Sequence, residues 1–273
     1  MTNRVLITSL QNAQIKKLVA LRASKTRRSL GEFIVEGVRE QEKAIANGLR
    51  VSEIYFCPTL LSEQAENLLN LASQASVNLY ELNEPCFNKV VVRKDAEGIL
   101  LVCKTKASEF RDFHVADEPF WLLIEAIEKP GNLGALLRTA DGAGVNGILL
   151  IDTKIDIFNP NVIRASLGCC FSLPIAACSR SEAYAFCKEQ KIAIYSAVLS
   201  NASIYYDLVP YRVRSALLLG SEDKGLDPFW ISHSDKLIHI PMHGHADSLN
   251  VSAAGAILLY EISKRRLKNK LSP

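Results

Sequence analysis

The chain has 273 residues, of which 48% are apolar and 22% charged, with 32 basic against 29 acidic residues and a formal net charge of +3. At ~100–200 residues per domain this is one large domain or two ordinary ones with ample core material, and disorder, collagen and coiled coil are excluded as the main state. No stretch approaches the ~18 consecutive apolar residues of a membrane span, and the first ten residues lack the apolar segment of a signal peptide, so the expected compartment is the cytoplasm.

In chain order, Asn12 is placed to cap a helix with Ile15, Leu18, Val19 and Leu21 on one side and Lys16, Lys17 and Arg22 turned away. Phe33-Ile34-Val35 reads as a short strand and Gly37 to Asn47 as a helix ended by Gly48. Val51 to Cys57 is a strand stopped by Pro58, Leu60 to Ala72 a helix, and Val77–Leu82 and Ile99–Cys103 are further strands. This alternation predicts a small α/β domain over residues 1–104. Residues 105–118 carry no sustained periodicity and read as a linker.

From 119 to 273 the pattern changes to longer apolar strands. Phe120–Ile124, Gly147–Ile151, Ser172–Ile175, Ile192–Ala197, Ala216–Leu219 and Leu237–Ile240 are predicted strands, with helices at 132–142 and 250–266. Runs such as Ile148-Leu149-Leu150-Ile151 belong to a parallel sheet buried on both faces, so this part is predicted to be a doubly wound α/β domain.

Charge is uneven along the chain. Residues 1–31 hold seven basic residues (Arg4, Lys16, Lys17, Arg22, Lys25, Arg27, Arg28) and no acid, and five more basic residues follow Glu261 (Lys264, Arg265, Arg266, Lys268, Lys270), leaving 20 basic against 29 acidic residues in between. Basic ends on an acidic body suggest a polyanionic partner, and Lys16, Lys17, Arg22, Lys25, Arg27 and Arg28 are the candidate residues to bind it; solvated helix faces are the plainer alternative. The seven cysteines show no C-x-x-C spacing and mostly sit among apolar residues, which reads as buried thiols in a reducing compartment and gives no metal site.

Three loops fall at predicted strand ends, where ligands of open parallel sheets bind. Glu128-Lys129-Pro130-Gly131-Asn132-Leu133-Gly134 enters a helix that carries Arg138, six residues past Asn132, close enough for both to face one mouth. Gly220-Ser221-Glu222-Asp223-Lys224-Gly225 places Glu222 at the sheet edge. Ile240-Pro241-Met242-His243-Gly244-His245-Ala246-Asp247-Ser248-Leu249-Asn250-Val251-Ser252 offers three N-cap residue types before a helix rich in small residues. His243-x-His245 lacks the further ligands a zinc site needs.

Taken together, Asn132-Leu133-Gly134-Ala135-Leu136-Leu137-Arg138-Thr139-Ala140, Gly220-Ser221-Glu222 and Ile240-Pro241-Met242…Ser248-Leu249-Asn250-Val251-Ser252 resemble the three signature motifs of the TrmH/SpoU family, SPOUT-class RNA 2′-O-ribose methyltransferases. Ser9-x-x-Asn12, Lys17-x-x-x-Leu21 and Glu32-Phe33-Ile34-Val35-Glu36-Gly37 are similar to that family's substrate-recognition domain. The resemblance implies a parallel sheet with a trefoil knot, an exception to the rule of unknotted chains, and an S-adenosylmethionine pocket formed by the knot. It implies cofactor contacts at Gly220, Ile240, Leu249, Ala197 and Met242, and catalytic or ribose-holding roles for Asn132, Arg138, Glu222, Ser248 and Asn250. A side chain at Gly220 is expected to fill the cofactor's space. It further implies a homodimer through the knotted domain and an RNA substrate, ribosomal RNA in preference to transfer RNA. Lys129 departs from the family pattern, where many members carry Asp.

The family proposal makes Arg138 a general base. A guanidinium with pKa above ~12 fits better as a clamp on substrate phosphate that stabilises a developing alkoxide, which leaves the proton acceptor open. Two other readings compete. A dinucleotide-dependent enzyme is suggested by Gly131-x-x-Gly134 with Asp152 some twenty residues on, but the full fingerprint is missing. A catalytically silent RNA- or ribosome-binding module would keep the basic ends without needing Asn132, Arg138 and Glu222.

Overall fold

The alternation of strands and helices is present in a computed structural model of the chain, which describes residues 4–72, 77–93, 96–105, 113 and 115–271, the side chains of 71, 72 and 268–271 excepted. Most of the predicted linker (106–112 and 114) and the side chains of Lys268 and Lys270 lie outside the described residues. The chain divides into two units, residues 1–107 with 156–172, and residues 108–155 with 173–273.

The first unit runs through β1 (Arg4–Ile7), α1 (Ala13–Ala20), α2 (Ser24–Leu30), β2 (Glu32–Glu36), α3 (Val38–Ala46), β3 (Val51–Phe56), α4 (Glu63–Ala72), β4 (Asn78–Leu82), α5 (Glu84–Val90) and β5 (Ile99–Lys104). Its sheet has the order β1-β4-β3-β5-β2, with β5 antiparallel to both neighbours and the other pairs parallel. Asn12 caps α1 as predicted, its side chain accepting from the Gln14 amide at 2.8 Å. Ile15, Leu18 and Leu21 enter the core with Tyr55, Leu82 and Phe87. Two helices escape the periodicity reading. α2 (Ser-Lys-Thr-Arg-Arg-Ser-Leu) has no apolar stripe, whereas α5 does carry a legible start, with Asn83 capping the Cys86 amide and Pro85 in the first turn.

A polar cluster on this sheet has consequences for pH. Lys17 Nζ lies 2.7 Å from Glu32 and 3.0 Å from Glu53, Lys104 Nζ lies 2.6 Å from Glu32, and the Tyr55 hydroxyl donates to Glu53 at 2.8 Å. Burial by itself would raise the Glu32 pKa, but the bonds from Lys104 and Lys17 outweigh it and hold the carboxyl below its ordinary 4.5. A carboxyl lowered on folding stabilises above its unfolded value, and that contribution disappears as pH falls through the folded value. Glu32→Gln should therefore lower stability to urea at pH 7 and shrink the further loss that the wild type shows on going below about pH 4.5.

The second unit opens with β6 (Phe120–Glu125), α6 (Pro130–Gly142) and β7 (Gly147–Ile151). After β7 the chain supplies residues 156–172 to the first unit: α7 (Pro160–Ala165) packs on β2, Phe158 stacks on Phe33 at 4.2 Å, and Arg27 donates to Asp156 at 2.7 Å. A single boundary near residues 105–118 does not foresee this excursion, because its partners lie more than a hundred residues earlier in the chain. The chain then continues with β8 (Ile175–Cys178), α8 (Arg180–Glu189), β9 (Ala193–Ala197), β10 (Ile204–Tyr205), β11 (Ser215–Leu219), α9 (Pro228–His233), β12 (Lys236–His239) and α10 (Val251–Leu271). β8 starts three residues later than predicted, because Pro174 has no N–H for the ladder and serves as an acceptor for Ile148.

All pairings in the seven-stranded sheet are parallel, in the order β10-β12-β9-β11-β6-β7-β8. β6, β7 and β11 are buried along their whole length, as continuous apolar strands require. The chain starts at β6, moves out through β7 and β8, and returns on the other side of β11, so a crevice opens at the carboxyl ends near β6, β11 and β9. Among the described residues no helix is long and apolar enough to cross a membrane. Six cysteines are buried and Cys178 is half-buried, and burial pushes the Cys103, Cys170 and Cys187 thiols up to about 12.

Candidate active site

The loops that follow β6, β11 and β12 converge on that crevice. α6 begins at Pro130 with Lys129 as its N-cap, which sets Asn132 in the first turn. The loop after β11 is closed by paired backbone bonds between Ser221 and Gly225 (3.0 and 3.1 Å), leaving Glu222 on the tip, and Gly225 takes the left-handed φ of +65° that this turn needs. Its far end is anchored by Glu125, buried at the end of β6, which accepts from the Asp227 amide at 2.8 Å, Trp230 Nε1 at 2.9 Å and Arg180 Nε at 3.1 Å.

α10 begins directly after Asn250, whose Oδ1 accepts from the Ser252 amide at 3.0 Å and from its hydroxyl at 2.6 Å, so the Asn250 side chain is held as a cap. α10 also packs on α6, where Gly255 faces Leu136 so closely that any Cβ would collide with it. That approach brings the starts of the two helices together.

The result is a compact polar cluster. Glu222 Oε1 accepts from Asn132 Nδ2 and from Asn250 Nδ2, the latter at 3.1 Å, and Asn250 Nδ2 also lies 3.3 Å from Asn132 Oδ1. Lys129 Nζ donates to Glu222 Oε2, and this bond, with the carboxylate charge behind it, holds the ammonium above the ordinary 10.5 of lysine. Three of the five predicted catalytic residues, separated by up to 118 positions in sequence, therefore touch.

Beside the cluster lies a cavity of about 650 Å³. All five predicted cofactor residues, Ala197, Gly220, Ile240, Met242 and Leu249, line it, as do Glu222, Ser248 and Asn250. Its inner wall is apolar (Val198, Leu219, Leu226, Ile238, Leu258) and its mouth polar, a combination and a volume suited to a small cofactor with one flat ring and one charged end. His243 and His245 stand exposed in the loop before α10 and do not line it.

Some expectations need correction. A Cβ on Gly220 would run into the backbone of Gly225 and Leu226, so this glycine allows the loop to close on itself, and a larger residue there would break the loop before it reached the cofactor's space. Arg138 is exposed, makes no recorded side-chain bond among the described residues, and does not line the cavity. Six residues of α-helix turn through about 600°, so Asn132 and Arg138 point about 120° apart and do not share one mouth.

The proposed RNA-binding set also divides. Arg27 is 2% exposed and donates to Asp156 and to the carbonyls of Leu21 and Arg22, so it is a buried structural residue. Lys17 is occupied by Glu32 and Glu53, and Arg22 donates to the carbonyls of Lys89 and Val91 beside the end of α5. Arg22 is exposed despite these bonds, as are Lys16, Lys25 and Arg28, which make no side-chain bond among the described residues. At the other end Arg266 is buried, donates to the carbonyls of Glu118 and Pro119 and lies over the Phe120 ring, and Arg265 pairs with Glu261. Periodicity cannot separate these cases, because a long basic side chain on a helix flank reaches water or a buried acid with equal ease. What sequence reasoning missed is Lys129 as a member of the cluster; its signal was a lone lysine at a strand-to-helix turn.

Known proteins are similar to this chain in sequence and fold. The SpoU rRNA methylase family profile matches residues 119–260, and an MRM3-like substrate-binding domain profile matches residues 12–101. The chain is 29% identical to the 23S rRNA (guanosine(2553)-2′-O)-methyltransferase RlmP of Bacillus subtilis, over 94% of this chain and 98% of that protein. A crystal structure of an RNA 2′-O ribose methyltransferase superposes with a TM-score of 0.85 at 33% identity, covering 96% of this chain and 100% of the other. An AdoMet-bound rRNA methyltransferase from Sinorhizobium meliloti does so with a TM-score of 0.85 at 28% identity, covering 97% and 98%.

Proposed function

Because this chain belongs to the SpoU rRNA methylase family, we propose that it transfers a methyl group from S-adenosylmethionine to a ribose 2′-hydroxyl of ribosomal RNA. The observation that carries the reading is the meeting of Asn132, Glu222 and Asn250 at the mouth of the cavity formed by the three motif loops. A dinucleotide enzyme would leave that convergence without a purpose, and a silent binding module would not need it.

When bound, S-adenosylmethionine supplies an electrophilic methyl group on a sulfonium. The chain's contribution is placement. The apolar wall from Ala197 to Leu249 holds the cofactor, and Asn132 and Asn250 fix the Glu222 carboxylate at the mouth so that it can accept a hydrogen bond from the ribose. Ser248, exposed on the rim, is placed to donate to the incoming nucleotide. Arg138, about 9 Å further along the α6 axis than Asn132, is the free guanidinium for a backbone phosphate of the same RNA segment.

The first unit, 1–107 with 156–172, is the RNA-recognition domain in this reading, and Lys16, Lys25 and Arg28 are its phosphate contacts. The second unit carries the trefoil knot and forms a homodimer. Support for the dimer comes from α10, where Ile257, Tyr260 and Leu267 are 38%, 55% and 58% exposed along one stripe, an apolar face that a second copy would cover. The working compartment is the cytoplasm, where ribosomal RNA is modified.

Two measurements test the reading together. Calorimetry should detect S-adenosylmethionine binding without added metal, and the wild-type protein should restore one 2′-O-methyl position in ribosomal RNA of a strain lacking the gene. Absence of cofactor binding, or preferential binding of NAD, would overturn it.

A further inference from the structure

The linings of the large cavity and of the small adjoining cleft together hold three carboxylates, Glu128, Glu222 and Asp223, against two ammonium groups, Lys129 and Lys224. An RNA strand must bring the phosphates flanking its target ribose into this acidic mouth, which requires a cation free to meet them. Lys129 is the cation common to both linings, and it is 70% exposed. Its place at the N-cap of the 13-residue α6 adds the positive end of that helix to the same spot.

Glu222 is held by three donors of different kinds. Asn132 and Asn250 are neutral amides on Oε1, tied to each other at 3.3 Å, and Asn250 is further held as the cap on Ser252. Lys129 is the charged donor on Oε2 and stands on a flexible four-carbon stem with no other recorded bond. An exposed ion pair of this type contributes little net stability, so exchanging the carboxylate for a phosphate costs little. Departure of the ammonium would leave Oε2 as an open acceptor beside the cofactor cavity.

Resting on the methyl-transfer reading above, we propose that Lys129 is a substrate-positioning residue that moves from Glu222 to a phosphate of the target nucleotide when RNA binds, opening Glu222 Oε2 to the ribose 2′-hydroxyl. The Lys129–Glu222 pair is then a latch that keeps the carboxylate neutralised until the substrate arrives.

The test compares the wild-type protein with Lys129→Gln and Lys129→Arg, using an unmodified 23S rRNA transcript and saturating S-adenosylmethionine. Lys129→Gln should raise KM for the transcript by about fivefold or more and reduce the salt slope of RNA binding by about 0.7–0.9, the share of one phosphate contact. Its kcat at saturating RNA should fall by less than its kcat/KM, because in the complex the carboxylate is already free. Lys129→Arg should keep the slope. An unchanged KM and slope in Lys129→Gln would overturn the proposal, and so would a fall in kcat alone, which would make Lys129 a fixed partner of Glu222. Failure of the wild-type protein to methylate any RNA would instead overturn the underlying reading, so the two failures are distinguishable.

Discussion

Glu222→Ala should reduce methyl transfer by roughly 10²–10³-fold, the loss typical of removing one preorganised polar group from a reacting centre. Glu222 is where the three loops are joined: its removal leaves Asn132 and Asn250 with one 3.3 Å contact between them and leaves the Lys129 ammonium unpaired. The groups that should hold the ribose would then sample several rotamers where they now have one. Glu222→Gln keeps the shape and can still accept from both asparagines, but it gives up the charge, so it should fall between alanine and wild type. Methyl incorporation at saturating cofactor and RNA is the readout, with calorimetry as the check that the cavity still binds S-adenosylmethionine. Turnover of Glu222→Ala above about a tenth of wild type would remove the carboxylate from the chemistry.

Arg138→Ala should cut methyl transfer by ~100-fold or more, the cost of losing a phosphate clamp that keeps the ribose in place at the reacting centre. The structure narrows how it acts. Arg138 is exposed and lies outside the cavity, and in the proposed reading it serves the RNA and not the cofactor. Calorimetric affinity for S-adenosylmethionine should therefore be the same in Arg138→Ala as in wild type. Arg138→Lys should recover little if a two-pronged hold on phosphate is needed, and more if charge suffices. Near-normal turnover of Arg138→Ala on its own RNA would exclude both the clamp and the general-base role.

Whether a residue's role was legible in the sequence depended on how local its physics is. The apolar runs Phe120–Ile124 and Gly147–Ile151, with a helix between them, need only side-chain pattern to announce a buried parallel sheet, and the structure has these strands where expected. Motif order was equally readable, since glycines, caps and a carboxylate at strand ends are short-range features; all five proposed cofactor residues line one cavity. Pattern was insufficient where a side chain could choose between water and a distant partner. Arg27 and Arg28 are neighbours of the same chemistry, yet one is buried against Asp156, 129 positions away, and the other is exposed.

The same limit applies to Gly220 and Lys129. The sequence alone marked two α/β parts, the parallel sheet, the three loops and, of the residues that meet in them, Asn132, Glu222 and Asn250. The 3.6-residue period of α6 by itself sets Asn132 and Arg138 about 120° apart, whereas whether the missing Cβ of Gly220 spares a ligand or a backbone, and which base pairs with Glu222, were settled by the closed turn after β11 and by the packing of α6 against α10. The bonds from Lys129 and Asn132 to Glu222 and the packing of α6 on α10 join residues some ninety or more positions apart, and their geometry follows from how whole elements pack, which no local pattern encodes.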